Sequence, residues 1–366
     1  MDISRRDVLK LSGAAAVTTV AFGAAPASAA PRAQRLYLGS YTAAGGLGIG
    51  AGSIDPATGV AAIDGWTSTV ADPSWLAASS DGSTVYAVSE LVPGGAISAL
   101  RRERPGPPSL LNTQPAGWGP AHVSVHPGGR YLFTSLYGSG SLAVHRIEPD
   151  GLAGPATDVR LHPAGSHVHQ VVTDPSGRWV LAVDLGLNSV FVYTLDSGSG
   201  RLREHGRTAL RPGAGARHLA FHPGGAYAYV AGERNSTVTV LRWARGVLTP
   251  GQVTGTLFRP AAAGNYPAEI LTSADGRFVY VTNRGDNSIA VFSVSAGGAA
   301  LRLIATTPAG GDWPPHAAID ATRRWLYVAN QRSGELVSFA LDAERGLVGG
   351  ETGRVAAPAV AQVLLV

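Results

Sequence analysis

The stretch Val279–Phe292 reads VYVTNRGDNSIAVF. Two apolar, β-branched runs flank a polar centre, which is the pattern of two strands joined by a short turn. The centre holds Arg284-Gly285-Asp286, a tripeptide that matches a cell-adhesion motif. Which reading applies depends on whether the stretch recurs, and it does. Relatives of Ser288-Ile-Ala-Val-Phe begin at positions 48, 96, 141, 189, 237, 288 and 335. The intervals are 48, 45, 48, 48, 51 and 47 residues. Before each lies an apolar strand, a polar turn and a second apolar strand, as in Ala121-His-Val-Ser-Val-His-Pro-Gly-Gly-Arg-Tyr-Leu-Phe-Thr-Ser. Asp81-Gly82, Gly128-Gly129, Ser176-Gly177, Gly224-Gly225 and Asp275-Gly276 supply the hairpin turns. A period near 48 with about four short strands per unit is the signature of propeller blades. The expected fold is therefore all-β: a seven-bladed β-propeller with four-stranded antiparallel blades. Arg35-Leu-Tyr-Leu-Gly-Ser-Tyr lacks a preceding first strand, and Pro358-Ala-Val-Ala-Gln-Val-Leu-Leu can supply one and close the ring. In that frame Gly285-Asp286-Asn287 is an ordinary blade loop, which disfavours adhesion.

Composition agrees with one large β domain. The 366 residues include 48 Gly and 24 Pro, with 45% apolar and 15% charged residues. Arginines are scattered, the formal charge is only +4 and no basic stripe occurs, so nucleic acid is not an expected partner. Zero cysteines exclude disulfides, thiol nucleophiles and thiolate metal sites. Ser4-Arg5-Arg6-Asp7-Val8-Leu9-Lys10, the Ala-rich Leu11–Ala25 and Ala27-Ser28-Ala29 resemble a twin-arginine signal with a small-x-small cleavage site. The expected division is a signal peptide over 1–29 and a propeller over 30–366, exported in a folded state. No later run is long and apolar enough to span a membrane.

First strands line a propeller's channel, so aligning the units gathers two columns there. One reads Trp75, His122, Gln170, His218, Glu269 and His316, preceded by Ser74, Ala121, His169, Arg217, Ala268 and Pro315. The other, ending each second strand, reads Tyr41, Glu90, Tyr137, Leu185, Glu233, Arg284 and Gln331. Apolar patterning does not account for His, Arg and Glu at equivalent ends of successive blades. Charges there need partners or a wet pocket. His122, His218, Glu90, Trp313 and His316 are candidates for substrate contact, with a structural role between blades as the alternative for the histidines. His167 and His169 alternate along a strand, so only one is expected to face the channel, and the spacing makes a weak metal site.

At these columns the sequence resembles the seven-bladed propeller lactonases, which include bacterial 6-phosphogluconolactonase and fungal carboxymuconate cyclase. The matching segments are Leu36-Tyr-Leu-Gly-Ser-Tyr-Thr, Gly165-Ser-His-Val-His-Gln-Val-Val, Asp184-Leu-Gly-Leu-Asn, Gly215-Ala-Arg-His-Leu-Ala-Phe-His-Pro, Gly232-Glu233 and Asn283-Arg284-Gly285. The resemblance implies a cofactor-independent lactone hydrolase whose catalytic set falls on His169, Arg217, Glu233 and Arg284, with no metal and a small-molecule lactone as partner. In Trp313-Pro314-Pro315-His316, Pro315 stands where many members carry a basic residue, which argues against a phosphorylated substrate. The alternative is a surface-layer-type propeller serving as a scaffold or binding module, suggested by Val279-Tyr-Val-Thr-Asn. Columns that change chemistry from blade to blade favour the enzyme.

Overall fold

The structure, a computed structural model, describes residues 34–261 and 264–366. The segment read as an export signal, 1–29, lies outside the described residues. Seven four-stranded antiparallel sheets follow the seven sequence units. From the channel outward, blade two is Leu76–Ala78, Thr84–Ser89, Gly95–Arg101 and Ser109–Gly117. Blades three to seven repeat this order, beginning at Pro120, Val168, Ala216, Tyr266 and His316. Blade one is composite. Its inner strand is the C-terminal Val360–Leu365, paired with Gln34–Ser40, so the two ends of the chain close the ring as expected. Each inner strand packs against its two neighbours all the way round.

The apolar runs behave as strands buried on both faces. In Trp179–Asp184, Val180 and Ala182 pack into the cluster shared with blade three, while Leu181 and Val183 pack toward blade five. The same division recurs, giving seven apolar clusters, one at each blade–blade interface. Each fully buried Val, Leu, Ile or Phe contributes on the order of 2 kcal/mol of transfer free energy. These interfaces hold the ring rigid and thereby set the positions of the channel residues.

Turn glycines take the left-handed conformation the sequence implied: Gly82, Gly129, Gly177, Gly225 and Gly276 have φ between +68° and +73°. One glycine outside those turns shows a second constraint. Gly346, at φ +72° in blade seven, sits against Phe278 of blade six, and a Cβ there would lie 2.2 Å from the ring.

Candidate active site

The cleft lies at the end of the channel where inner strands begin and second strands end. Four inner strands share a local irregularity at that point. Register shifts fall between Pro120 and His122, Val168 and Gln170, Ala216 and Leu219, and Pro267 and Ile270. A bulge breaks the strict up-and-down alternation of side chains. Consecutive residues such as Arg217 and His218 can then both turn toward the axis, in two layers.

The upper layer lines a narrow cleft of about 30 Å³: Tyr41, Ser74, Trp75, Glu90, Ala121, His169, Arg217, Pro315 and Ala361. Glu233 stands beside it between two guanidinium groups. Its Oε2 is 3.2 Å from Arg217 Nε and 2.8 Å from Arg284 Nη2. Neither contact is aligned as a hydrogen bond, and Arg217 Nε and Nη1 and Arg284 Nη2 are buried without another partner among the described residues. His169 Nδ1 and Ser74 Oγ are likewise unpartnered. Buried donors left this way are costly unless a ligand or water takes their hydrogen bonds.

The electrostatics follow from burial. Arg217 is pushed down to about 10 by desolvation and by Arg284, against the pull of Glu233, and stays charged at neutral pH. Burial, reinforced by Arg217, holds His169 well below the ordinary imidazole range, so it is neutral. Glu90 accepts a hydrogen bond from Tyr41 Oη at 2.8 Å, and burial raises its carboxyl above the usual range.

The lower layer forms the floor. The Trp75 indole sits among His122, His316 and His218, with ring centroids 4.5, 5.0 and 5.1 Å away. Glu269 Oε2 lies 3.1 Å from His218 Nδ1 and 3.3 Å from His316 Nε2. Burial lowers all three imidazoles, His122 to about 3, so the floor is an uncharged aromatic stack with one carboxyl beneath it. Gln170 and Gln362 bind the backbone of the adjacent inner strands at Leu219 and Leu76.

The quartet His169, Arg217, Glu233 and Arg284 is thus brought to one end of the channel, on blades four, five and six. Glu90 is on the cleft wall opposite. His122, His218 and His316 are not among the lining residues; they lie beneath Trp75 and join neighbouring blades. Trp313 is at the rim, with the Arg332 guanidinium 3.5 Å over its ring and that of Arg284 at 5.4 Å. Arg284 also donates from Nε to Tyr266 O at 3.1 Å, so the arginine of the adhesion-like tripeptide is engaged inside the site.

Of His167 and His169 only His169 lines the cleft, as expected; His167 stacks on Tyr137 at 4.6 Å, and His169 meets the same ring edge-on at 5.7 Å. Tyr41 and Ser74 stood in the sequence columns but carried no mark separating them from ordinary strand residues. Ala361 and Gln362, on the closing strand, complete the two layers at the next positions of the same two columns, 46 residues after Pro315 and His316. Among the described residues no group of three or more His, Asp or Glu side chains is disposed to hold a metal ion. A wider groove on the opposite face, bordered by Ser79, Asp81, Arg130, Arg146 and Asp150, holds no buried unpartnered side chain.

Comparison with known proteins agrees with this fold. The family model "Lactonase, 7-bladed beta-propeller" matches residues 35–365. The 6-phosphogluconolactonase of Bacillus subtilis is 31% identical over 271 residues, covering 71% of this chain and 77% of that protein. The solved periplasmic gluconolactonase of Pseudomonas aeruginosa superimposes with a TM-score of 0.84 at 28% identity, covering 92% of this chain and 99% of the other. A Lactobacillus plantarum protein superimposes at 0.85 with 31% identity, covering 92% and 100%. A closed ring of seven blades, matched along its whole length, means that this chain belongs to the seven-bladed β-propeller lactonase family and is a lactone hydrolase.

Proposed function

We propose that the protein is an exported lactonase that opens a non-phosphorylated sugar or organic-acid lactone, using side chains of the channel cleft alone. The observation that carries this reading is the Arg217–Glu233–Arg284 cluster beside neutral His169. Two guanidinium groups against one carboxylate leave one positive charge. That suits the single oxyanion, then carboxylate, formed when a lactone carbonyl is attacked. A phosphate dianion would need further cations, and Pro315 supplies none. The gluconolactonase among the structural neighbours supports a non-phosphorylated substrate.

In this reading Arg217, buried and charged, stabilises the oxyanion through its unpartnered N–H groups. Arg284, nearer the rim, orients the substrate with Trp313. Glu233 keeps both arginines charged and in place. His169 hydrogen-bonds the ring oxygen as a neutral imidazole. The test is pH-stat titration of the purified protein with glucono-δ-lactone and its 6-phospho derivative, with and without EDTA. The expected result is EDTA-insensitive turnover of the unphosphorylated lactone above its spontaneous rate, falling roughly 100-fold or more in Arg217→Ala. Absence of turnover for every lactone tried refutes the reading. Export is supported by the Arg5-Arg6 segment. Accumulation of the Arg5→Lys/Arg6→Lys variant inside the cell is the expected outcome, and unchanged secretion of that variant contradicts it.

A further inference from the structure

Lactone hydrolysis needs a base for the attacking water, and the Arg–Glu–Arg cluster does not provide a good one. Glu233 Oε2 is in contact with both Arg217 Nε and Arg284 Nη2, so this carboxylate is committed to holding the two guanidinium groups together. His169 is surrounded by Arg217, His218, Arg284 and His122, and its basicity is depressed. Across the cleft stands a second carboxylate in a different setting. Glu90 lines the same cleft as His169 and Arg217. Its Oε2 accepts from Tyr41 Oη, and the Ser74 hydroxyl lies beside the same carboxyl group; no guanidinium group among the described residues is paired with it.

The surrounding backbone fixes this carboxylate in place. Asp72 is held in the left-handed region at φ +42°, an unfavourable conformation for a non-glycine residue. Its carbonyl accepts the N–H groups of both Ser74 and Glu90, at 2.7 and 3.1 Å. Its carboxylate accepts from Thr42 Oγ1 and the Ala43 N–H, and its own N–H donates to Thr42 Oγ1. One residue thereby ties the loop after Tyr41 to the strand ends carrying Ser74 and Glu90. The Tyr41–Glu90 contact joins the composite blade to blade two.

We propose that Glu90 is the general base of the reaction, with Tyr41 and Asp72 as its positioning residues. This rests on the lactonase reading above. The Glu90 carboxylate takes a proton from water as the water oxygen bonds to the lactone carbonyl carbon. The carbonyl electron pair moves to the oxygen facing Arg217. When the carbonyl re-forms, the bond to the ring oxygen breaks and that oxygen takes the proton back from Glu90. The product is a hydroxy acid, which ionises in solution, and Glu90 returns as a carboxylate. The titratable groups facing Glu90 are Tyr41, Asp72, Tyr137, Arg217 and His169. Burial outweighs the hydrogen bonds and the Arg217 charge and keeps Glu90 above the ordinary carboxylate range, the direction a base needs.

The test is steady-state kinetics on glucono-δ-lactone across pH with wild type, Glu90→Gln, Tyr41→Phe and Arg217→Ala. Glu90→Gln is expected to lower kcat by about 100- to 10,000-fold with KM within a few-fold of wild type. Wild-type kcat/KM is expected to rise with pH through a single acid limb. Tyr41→Phe removes a bond that favours the charged carboxylate, so it moves that limb to higher pH while the protein stays folded. A Glu90→Gln enzyme within about three-fold of wild type, an effect on KM alone, or an unmoved limb in Tyr41→Phe overturns the proposal. If Arg217→Ala is inactive in the same experiment, the lactonase reading stands without it. A wild-type protein that hydrolyses nothing removes both.

Discussion

The substitution Glu233→Gln probes the centre of the cleft. Both guanidinium groups touch the same Glu233 oxygen, at 3.2 and 2.8 Å, so their contacting nitrogens are no more than about 6 Å apart. At an effective dielectric constant near 20, two like charges at about 6 Å repel by roughly 3 kcal/mol. In the wild type the carboxylate masks that repulsion. Breaking one partner of a buried pair costs about 3–5 kcal/mol. Glu233 is 21% exposed and Arg284 13%, against 7% for Arg217, so screening puts the expected loss at the low end, about 3 kcal/mol. For a domain this large that corresponds to a fall in Tm of roughly 4–5 °C. The amide also leaves two cations unopposed, so an added carboxylate should bind the variant more tightly. Thermal unfolding in sodium gluconate against sodium chloride of equal ionic strength reads both effects. The variant is expected to be less stable in chloride and to recover more than wild type in gluconate, as binding to the folded state requires. A variant within about 1 kcal/mol of wild type, with no selective recovery in gluconate, refutes the claim that Glu233 holds the two arginines together.

Two further outcomes follow from the same coordinates. His122, His169, His218 and His316 all have imidazoles depressed in the folded state, so unfolding takes up protons as pH falls below about 6.5, and stability is lost through that window. His145, also lowered by burial, adds to this uptake, while Glu90 and Glu269 are raised and act in the opposite sense, contributing stability below about 4.5 that fades as pH rises through their folded values, so the net uptake near pH 5.5 should be roughly three to five protons. Denaturation midpoints that do not change between pH 7 and 5 contradict a neutral imidazole floor. Gly346→Ala places a Cβ 2.2 Å from Phe278 at φ +72° and is expected to cost about 2–4 kcal/mol in chemical denaturation, with turnover per folded molecule unchanged. A loss under about 0.5 kcal/mol means the turn moves freely away from the ring.

The seven units, the strand pattern and the convergence of His169, Arg217, Glu233 and Arg284 on one channel end were legible in the sequence. Side-chain period and repeat length are local properties, and a ring of equal units leaves equivalent positions nowhere else to go. Pairing within that end was not legible. Glu233 reaches both Arg217 and Arg284 because three blades pack at a particular spacing, and contacts across 16 and 51 residues of chain leave no local trace. The layers were hidden for a related reason. Bulges in the inner strands separate cleft-lining His169 and Arg217 from the floor residues Gln170 and His218, and the C-terminal Val360–Leu365 supplies Ala361 and Gln362 to the first blade. Protonation was decided last, since the neutrality of the imidazoles and the raised carboxyl of Glu90 depend on how much water the closed ring excludes. The sequence by itself determined which residue types meet at the channel. Only the packed ring decided which of them are paired, which lie beneath Trp75, and which carboxyl group on the cleft wall is raised by burial.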